Sequence, residues 1–339
     1  MISVPVTEVS QVAEARRCAA AAAKRLGFDE TATGRVALVA TELATNLVKY
    51  ATGGELLVGT YEHDVETGVE LLALDRGNGL ADAEGALADG HSTGGTAGLG
   101  LGAVRRQSQD FEVISSLGRG MAVLSRLAAA RTRPPHPPMA EFGAVSVPLK
   151  GQAANGDAHC FRPRGDGWTL VVADGIGHGT EAAKASAEAV GIFRDHEGES
   201  PKEIVGAIHA GLRATRGGAV SVARYDAVRG TVAFCGLGNV AGTTVQGGTA
   251  HGTVVLAGTA GHNARRIQAF DYPLAPGGLF VLCSDGIGSG WSLADYPGLA
   301  EAHPALVAAV IYRDFARTRD DATVTVARAR PAAVLEGRP

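Results

Sequence analysis

The alternation of apolar and polar positions predicts two helices at the start of the chain. Glu8 to Leu26 is rich in alanine, a strong helix former, and Gly27 ends the run. Asp29 is a typical N-cap residue, so a second helix is expected from there to about Tyr50, closed by Gly53-Gly54. The chain therefore opens with two consecutive helices.

Apolar runs bounded by turn residues predict strands in the residues that follow. The segments expected to be extended are Glu55–Glu62, Val69–Asp75, Asp110–Ser116 and Gly120–Leu127. Leu99–Gln107 is expected to be helical, and Asp82–Thr96, rich in Gly, Ala and Asp, is expected to form a loop.

A proline cluster at Arg131–Met139 divides the chain. Prolines cannot continue a helix or a central strand, so this segment predicts a stiff extended spacer. After it, strands dominate and the expected helices are grouped near Thr180–Arg194, Pro201–Thr215 and Pro304–Arg317. We predict domains at residues 1–130 and 141–330, a linker at 131–140, and an α+β fold class.

Composition and charge exclude several classes of protein. Apolar residues make up 45% of the 339 residues and the formal net charge is −4, which favours packed domains and argues against a nucleic-acid partner. The four cysteines form no C-x-x-C pair, and no segment has the length and apolar character of a signal peptide or a membrane span. We expect a cytoplasmic protein with no membrane association.

The first group of candidate functional residues lies in the N-terminal half. Glu42 and Asn46 are four residues apart and share one face of a predicted helix. Asp75 follows an apolar strand, and Gly77 and Gly79 let a backbone approach a ligand, where the carboxylate can accept a hydrogen bond from an exocyclic amine. The alternatives are solvated helix residues for the first pair and an ordinary turn for the second.

A glycine-rich run leads into the predicted third helix. Gly98, Gly100 and Gly102 close this run, where backbone N–H groups and the helix dipole suit phosphate. No Gly-Lys-Ser/Thr follows and no strand immediately precedes the run, so it is neither a Walker loop nor a dinucleotide fingerprint.

Together these three motifs resemble the N, G1 and G2 boxes of the gyrase, Hsp90, histidine kinase and MutL (GHKL) ATPases, and more narrowly the RsbT-like switch kinases and anti-sigma kinases of bacterial stress signalling. The resemblance implies a Bergerat α/β sandwich that binds ATP with Mg²⁺. Asn46 would hold the Mg²⁺, Asp75 would read adenine, and the glycines would cradle phosphate, with Gly77 and Gly79 beside the nucleotide. Glu42 would take the proton from an incoming serine hydroxyl. Met121 stands where the family often has a threonine.

A second group of candidates consists of acids in the C-terminal half. Two apolar strands end in Asp174-Gly175 and Asp285-Gly286, and Asp157 and Asp320-Asp321 complete the set. Asp-Gly also marks hairpin turns, but the first pair leads into a helix rather than a strand. Acids brought together without basic partners repel unless a cation neutralises them, and carboxylates suit Mg²⁺ or Mn²⁺.

This half resembles the SpoIIE/RsbX-type branch of the metal-dependent (PPM-type) serine/threonine phosphatases, which implies an αββα sandwich with two Mn²⁺ or Mg²⁺ ions. By that resemblance Asp174 would bridge the metals with the carbonyl of Gly175. Asp285 and Asp320 would bind the second ion, while Asp157 and Asp321 would act directly or through water. His178 would donate a proton or, more simply, cap the helix that follows.

The two resemblances imply a bifunctional switch: a Ser/Thr kinase fused to a Ser/Thr phosphatase, acting on a STAS-domain phosphoprotein or antagonist of a sigma-factor network. Two alternatives stay open. The N-terminal half could instead be a nucleotide sensor that gates the phosphatase, or a binding module that sequesters a sigma factor or its antagonist.

Overall fold

The structure is a computed structural model that describes residues 1–63, 66–80, 100–130, 141–165, 167–196 and 200–331. The predicted loop at 82–96, Gly98 and the predicted linker at 131–140 lie outside these residues. The chain divides into two compact units. One comprises Met1–Pro138 with Tyr296–Ala302, and the other comprises Met139–Asp295 with His303–Pro339.

The first unit is a layer of helices on one antiparallel sheet. Its strands are β1 (Ile2–Pro5), β2 (Glu55–His63), β3 (Glu66–Asp75), β4 (Asp110–Ser116) and β5 (Gly120–Ala128). The spatial order is β1-β2-β3-β5-β4. Its helices are α1 (Val9–Arg25), α2 (Glu30–Tyr50) and α3 (Gly100–Gln107). These are the helices and strands that the sequence predicts, with ends moved by at most a few residues, except for β1.

Strand β1 is absent from the sequence prediction because four residues are too few to show an alternating pattern. It pairs antiparallel with β2, with Val4 opposite Leu56. Tertiary pairing at the sheet edge, rather than local preference, makes this segment a strand.

Helix α2 positions the candidate residues of this unit. The carboxylate of Asp29 accepts a hydrogen bond from the backbone N–H of Ala32 at 2.7 Å, which confirms the predicted N-cap. Val39, Leu43 and Leu47 on the next turns are buried against the sheet. A helix that buries one stripe leaves the flanking positions at the border of the core.

The second unit contains two packed sheets. One sheet comprises β7 (Asp157–Arg164), β8 (Gly167–Gly175), β9 (Gly218–Asp226), β10 (Thr231–Leu237), β13 (Val255–Leu256) and β14 (Phe270–Pro273). The other comprises β6 (Glu141–Val147), β11 (Ala241–Gln246), β12 (Thr249–Gly252), β15 (Leu279–Cys283) and β16 (Ala322–Arg328). Trp168 and Leu170 of one sheet and Phe280 of the other share a core cluster, so the inner faces pack together.

Helices cover both outer faces of this sandwich. The helices are α4 (Thr180–Asp195), α5 (Pro201–Gly211) and α6 (Pro304–Phe315). Phe193 and Ile208 of α4 and α5 pack on Val222 of the first sheet, while α6 packs along β6 and β16 of the second. The unit is therefore an αββα sandwich. In the described part of the chain, no helix combines the length and the apolar character needed to cross a bilayer.

The close approach of α6 to β6 gives a stability prediction. A methyl group built on Gly143 would lie 2.0 Å from the backbone nitrogen of Ala305, so Gly143→Ala requires a backbone shift. We expect a loss of about 2–3 kcal/mol in the free energy of unfolding, since overpacking against backbone has no flexible neighbour to yield. Urea unfolding followed by the fluorescence of buried Trp168 measures it.

Gly191→Ala is the matched control, because Gly191 lies in α4 of the same unit with open space around a new methyl group. This change should be neutral or should stabilise the protein by about 0.5–1 kcal/mol, since alanine favours the helix. Equal unfolding curves for the two variants would contradict the packing described for Gly143.

Candidate functional site

Antiparallel pairing of β7 with β8 sets two carboxylates side by side. Asp157, the first residue of β7, is directly opposite Asp174 near the end of β8. Asp157 is buried, with 6% of its surface exposed, and Asp174 is partly buried. Directly opposed acids in neighbouring strands repel each other when both are ionised, so this pairing is electrostatically unfavourable at one edge of the sandwich.

The surroundings favour the protonated form of both acids in the ligand-free chain. Burial raises the pKa of Asp157 to about 7, although hydrogen bonds from the hydroxyls of Ser284 and Thr323 oppose the rise. Burial, and then the charge of Asp157, raise the pKa of Asp174 to about 8. Within the described residues, the Oδ2 atom of Asp157 is buried and has no hydrogen-bond partner. A buried carboxylate oxygen without a hydrogen-bond partner is a favourable ligand for a cation.

Asp285 lies just beyond β15 and joins the same electrostatic group. Its Oδ2 accepts a hydrogen bond from the side chain of Asn239 at 2.6 Å. Burial and the nearby charge of Asp320 raise the pKa of Asp285, while the guanidinium of Arg317 opposes this. The Nη1 of Arg317 also donates to the backbone carbonyl of Asp285 at 3.0 Å.

Asp321 holds the backbone that leads into β7. It is 2% exposed. Its Oδ1 accepts from the N–H of Leu149 at 2.7 Å and its Oδ2 accepts from the N–H of Gly156 at 2.9 Å. Gly156 directly precedes Asp157, so the carboxylate of Asp321 fixes where β7 begins. The neighbouring Asp320 uses one oxygen to accept the N–H of Asp321.

Glycines allow the backbone to approach closely around Asp174. A methyl group on Gly175 would lie 2.2 Å from the carbonyl oxygen of Ala182, so α4 begins directly against this residue. The N-cap of α4 is Gly179, which has a φ of +78°. The expectation that His178 caps this helix is therefore wrong. His178 is exposed one residue before the cap.

The donor set fits divalent cations held largely by water. Across the described residues, no three His, Cys, Asp or Glu side chains are grouped closely enough to hold one ion. The acids described above offer only oxygen ligands, which suit both Mg²⁺ and Mn²⁺, and Mg²⁺ usually needs no more than one or two carboxylates beside water.

In the first unit, α2 and the start of α3 bring Asn46 to the glycine-rich segment. A methyl group on Gly100 would lie 3.3 Å from both Nδ2 and Oδ1 of Asn46, so any larger residue there would require the amide to shift by a few tenths of an ångström. Glu42 lies one helical turn earlier and is half-buried. Gly102 is the third residue of α3 and lies within its first turn.

Asp75 ends β3 and is tied to the segment that follows α2. Its Oδ1 accepts from the N–H of Thr52 at 2.8 Å and from the N–H of Gly77 at 2.7 Å. Gly79 has a φ of +66°, and a methyl group there would lie 2.4 Å from the carbonyl oxygen of Ser116. The predicted adenine-reading residue therefore sits in a turn that its own carboxylate organises. Met121 is opposite Asp75 in β5.

These two folds define a class: a histidine-kinase-like ATPase domain joined to a SpoIIE-type domain. The family model for the histidine kinase-like ATPase domain matches residues 6–127, and the model for stage II sporulation protein E (SpoIIE) matches residues 164–330. The serine/threonine-protein kinase RsbT of Bacillus subtilis (strain 168) is 31% identical over 112 residues, which are 33% of this chain and 84% of RsbT. The chain belongs to the RsbT family of histidine kinase-like ATPases through this N-terminal part.

Solved structures match the chain as well. One is described as "The bacterial stressosome: a modular system that has been adapted to control secondary messenger signaling". It is 28% identical, covers 56% of this chain and 99% of its own, and has a TM-score of 0.52. The PP2C phosphatase domain of SpoIIE from Bacillus subtilis, with a fragment of its regulatory domain, covers 95% of this chain and 93% of its own. At 16% identity and a TM-score of 0.45, it carries no argument on function. The resemblances drawn from the sequence are confirmed for both halves.

Sequence reasoning gave no role to the polar partners of the acids. Asn239 lies between β10 and β11, and its hydrogen bond to Asp285 requires the sheets of β10 and β15 to face each other. Ser284 directly precedes Asp285, yet its contact with Asp157 appears only in the folded sandwich. The sequence shows that Ser284 is next to Asp285. Only packing brings Asn239 to Asp285 and Ser284 to Asp157.

The opposed acids lead to a prediction on metal-free stability. Asp174→Asn should raise the free energy of unfolding at pH 7 in a chelator by about 1–3 kcal/mol, because it removes a carboxyl group that the folded chain must keep protonated but that ionises freely in the unfolded chain. The folded pKa of Asp174 is raised from 3.8 to about 8, so the gain should be absent near pH 4 and grow as the pH rises toward 8. Chemical unfolding at several pH values measures it.

Mn²⁺ or Mg²⁺ should raise the melting temperature of the wild type and have much less effect on Asp174→Asn. Asp226→Asn is the control, because Asp226 is the last residue of β9, at the opposite end of the strand from Gly218, and pairs with Arg229 in the turn that follows. This control should keep the full response to metal. A variant at Asp174 that lost metal-free stability would argue against the charge repulsion described here.

Proposed function

We propose that this chain is a two-way switch enzyme that adds a phosphate to a Ser or Thr of a regulatory protein with one half and removes such a phosphate with the other. An RsbT-like ATPase domain and a SpoIIE-type phosphatase domain in one chain make it a regulatory signalling protein. The observation that carries the phosphatase half is the opposed pair Asp157 and Asp174, with one buried oxygen unsatisfied.

For dephosphorylation, two Mn²⁺ or Mg²⁺ ions would be held by four carboxylates and one backbone carbonyl, namely those of Asp157, Asp174, Asp285 and Asp320 and that of Gly175. Asp321 would act through water or through the backbone. Such ions, when bound, activate water for in-line attack on a phosphoserine or phosphothreonine. The strand register that sets Asp174 opposite Asp157 fixes the positions of these two carboxylates relative to each other. Asn239 keeps the Asp285 carboxylate in place by its 2.6 Å hydrogen bond.

For phosphorylation, Glu42 would accept the proton of the incoming serine hydroxyl as its oxygen bonds to the γ-phosphorus and ADP leaves. Asn46 would hold the Mg²⁺ of ATP, and Asp75 would read adenine, with Gly77 and Gly79 beside it. Gly98, Gly100 and Gly102 would cradle phosphate. The contact of Asn46 with Gly100 and the half-buried setting of Glu42 support these roles.

The expected substrate is a STAS-domain phosphoprotein or antagonist in a sigma-factor network. This rests on the family of the N-terminal half, whose relative is named a serine/threonine-protein kinase. The structural match described as a stressosome is consistent with this kind of partner.

The test compares the wild type, Asp174→Ala and the double variant Asp174→Ala/Glu42→Gln. Each is incubated with γ-labelled ATP, Mg²⁺, Mn²⁺ and a panel of STAS-domain proteins. Label should accumulate on one STAS protein with Asp174→Ala and fall by about two orders of magnitude or more when Glu42 is also changed. ATP binding should persist in the double variant.

Glu14→Gln, an exposed position on α1, is the matched control and should leave phosphate transfer unchanged. ATP binding without any transfer, together with a nucleotide-dependent phosphatase rate, would replace the kinase by a sensor. Stable capture of a sigma factor or its antagonist, insensitive to loss of Glu42, would identify a binding module.

A further inference from the structure

A second segment of backbone lies alongside the residues that carry Asp174. Strand β9 pairs with β8 so that Gly218 is opposite Gly175, and the N–H of Ile176 donates to the carbonyl of Gly217 at 3.1 Å. Gly218 approaches so closely that a methyl group on it would lie 2.3 Å from the carbonyl oxygen of Asp174. The residues just before β9 therefore form a wall beside the candidate phosphatase site, outside the group of acids.

Arg216 belongs to this wall, and its guanidinium lies near the loop that follows Asp174. A methyl group built on Gly177 would lie 3.7 Å from Nη1 of Arg216. The pKa of Glu181 at the start of α4 is lowered, first by Lys184 and to a smaller extent by Arg216, which places the guanidinium near that helix end. Arg216 is exposed, and no carboxylate of the described chain forms an ion pair with it.

A neighbouring loop adds further basic residues. Gly218 and Ala260 exchange two backbone hydrogen bonds of 3.2 and 2.8 Å, and the Nε2–H of His262 donates to the carbonyl of Arg216 at 2.9 Å. These bonds hold the loop against the wall. Arg265 and Arg266 follow in the same loop, exposed and without an ion-pair partner in the described chain.

The two segments joined by these hydrogen bonds carry three exposed arginines. The whole chain has a formal net charge of −4, yet Arg216 lies next to the loop that follows Asp174, and Arg265 and Arg266 follow His262 by three and four residues. Unpaired guanidinium groups bind carboxylates and phosphates through several N–H donors. Ile176, with 48% of its surface exposed, adds an apolar contact at the same edge. We call Ile176, Arg216, His262, Arg265 and Arg266 the basic lip.

We propose that the basic lip selects phosphoprotein substrates in which acidic residues flank the phosphoserine or phosphothreonine. The proposal rests on the proposed phosphatase function and specifies its substrate. Acidic side chains beside the phosphate would pair with the guanidinium groups of the lip, while the phosphate would approach the divalent cations that the acids of the site would hold. Complementary charge of this kind acts on substrate capture rather than on the chemical step.

The test uses the full chain with Mn²⁺, p-nitrophenyl phosphate, and phosphothreonine peptides with acidic, neutral or lysine flanks. The wild type should show kcat/KM about tenfold higher for the acidic peptide than for the neutral one. The triple variant Arg216→Gln/Arg265→Gln/Arg266→Gln should lose this preference through KM, with kcat and p-nitrophenyl phosphate turnover unchanged. High salt should reduce the wild-type preference.

Two further variants separate recognition from general charge or structure. Arg16→Gln/Arg17→Gln/Arg25→Gln removes the same charge from exposed positions on α1 of the other unit and should keep the preference. Arg216→Glu should shift the preference toward the lysine-flanked peptide, which a merely structural role would not produce.

The outcomes are distinguishable. A triple variant that retains the wild-type ratio between acidic and neutral peptides overturns the basic lip but leaves the phosphatase intact. Equal losses on p-nitrophenyl phosphate and on every peptide would place the arginines in the catalytic site rather than in flank recognition, which also overturns it. A wild type that hydrolyses no phosphoester with either metal would refute the proposed phosphatase function and the lip with it.

Discussion

The repulsion between two opposed carboxylates is the constraint on which the second unit depends. The β7–β8 register places Asp157 beside Asp174. Burial then makes the ionised form of each costly. Arrangements that lower the stability of a fold are found mainly at functional sites, where the surrounding structure holds them in place. Here the oxygen of Asp157 that has no partner among the described residues, together with the partly exposed Asp174, suits divalent cations, which would convert the repulsion into attraction.

The backbone around the pair is held by neighbouring groups outside the pair itself. Both carboxylate oxygens of Asp321 accept hydrogen bonds from backbone N–H groups, and one of these N–H groups belongs to the residue immediately before Asp157. Gly175 and Gly218 let α4 and β9 approach where any side chain would clash. Rigid support of this kind keeps the acids in register, and the same close approach brings Arg216 to the edge of the site.

The two units share one structural principle. In each, a residue at the end of a buried strand, Asp75 or Asp174, is followed by glycine-containing turns that expose the backbone. A strand end fixes the acid, while glycine keeps the space beside it open. One chain thus combines an ATPase of the RsbT family with a SpoIIE-type domain, and the direction of phosphate flow would depend on which site is engaged.

The sequence by itself determined the helices, most strands and the identity of the acids, because these depend on local periodicity, capping and turn chemistry. Asp29 is an example, since its N-cap role needs only the next three residues. Tertiary structure alone decided β1, the Asn239–Asp285 hydrogen bond and the place of Arg216 beside Gly177. Those contacts join segments far apart in the chain, and no local pattern encodes which strands will pair or which loops will meet.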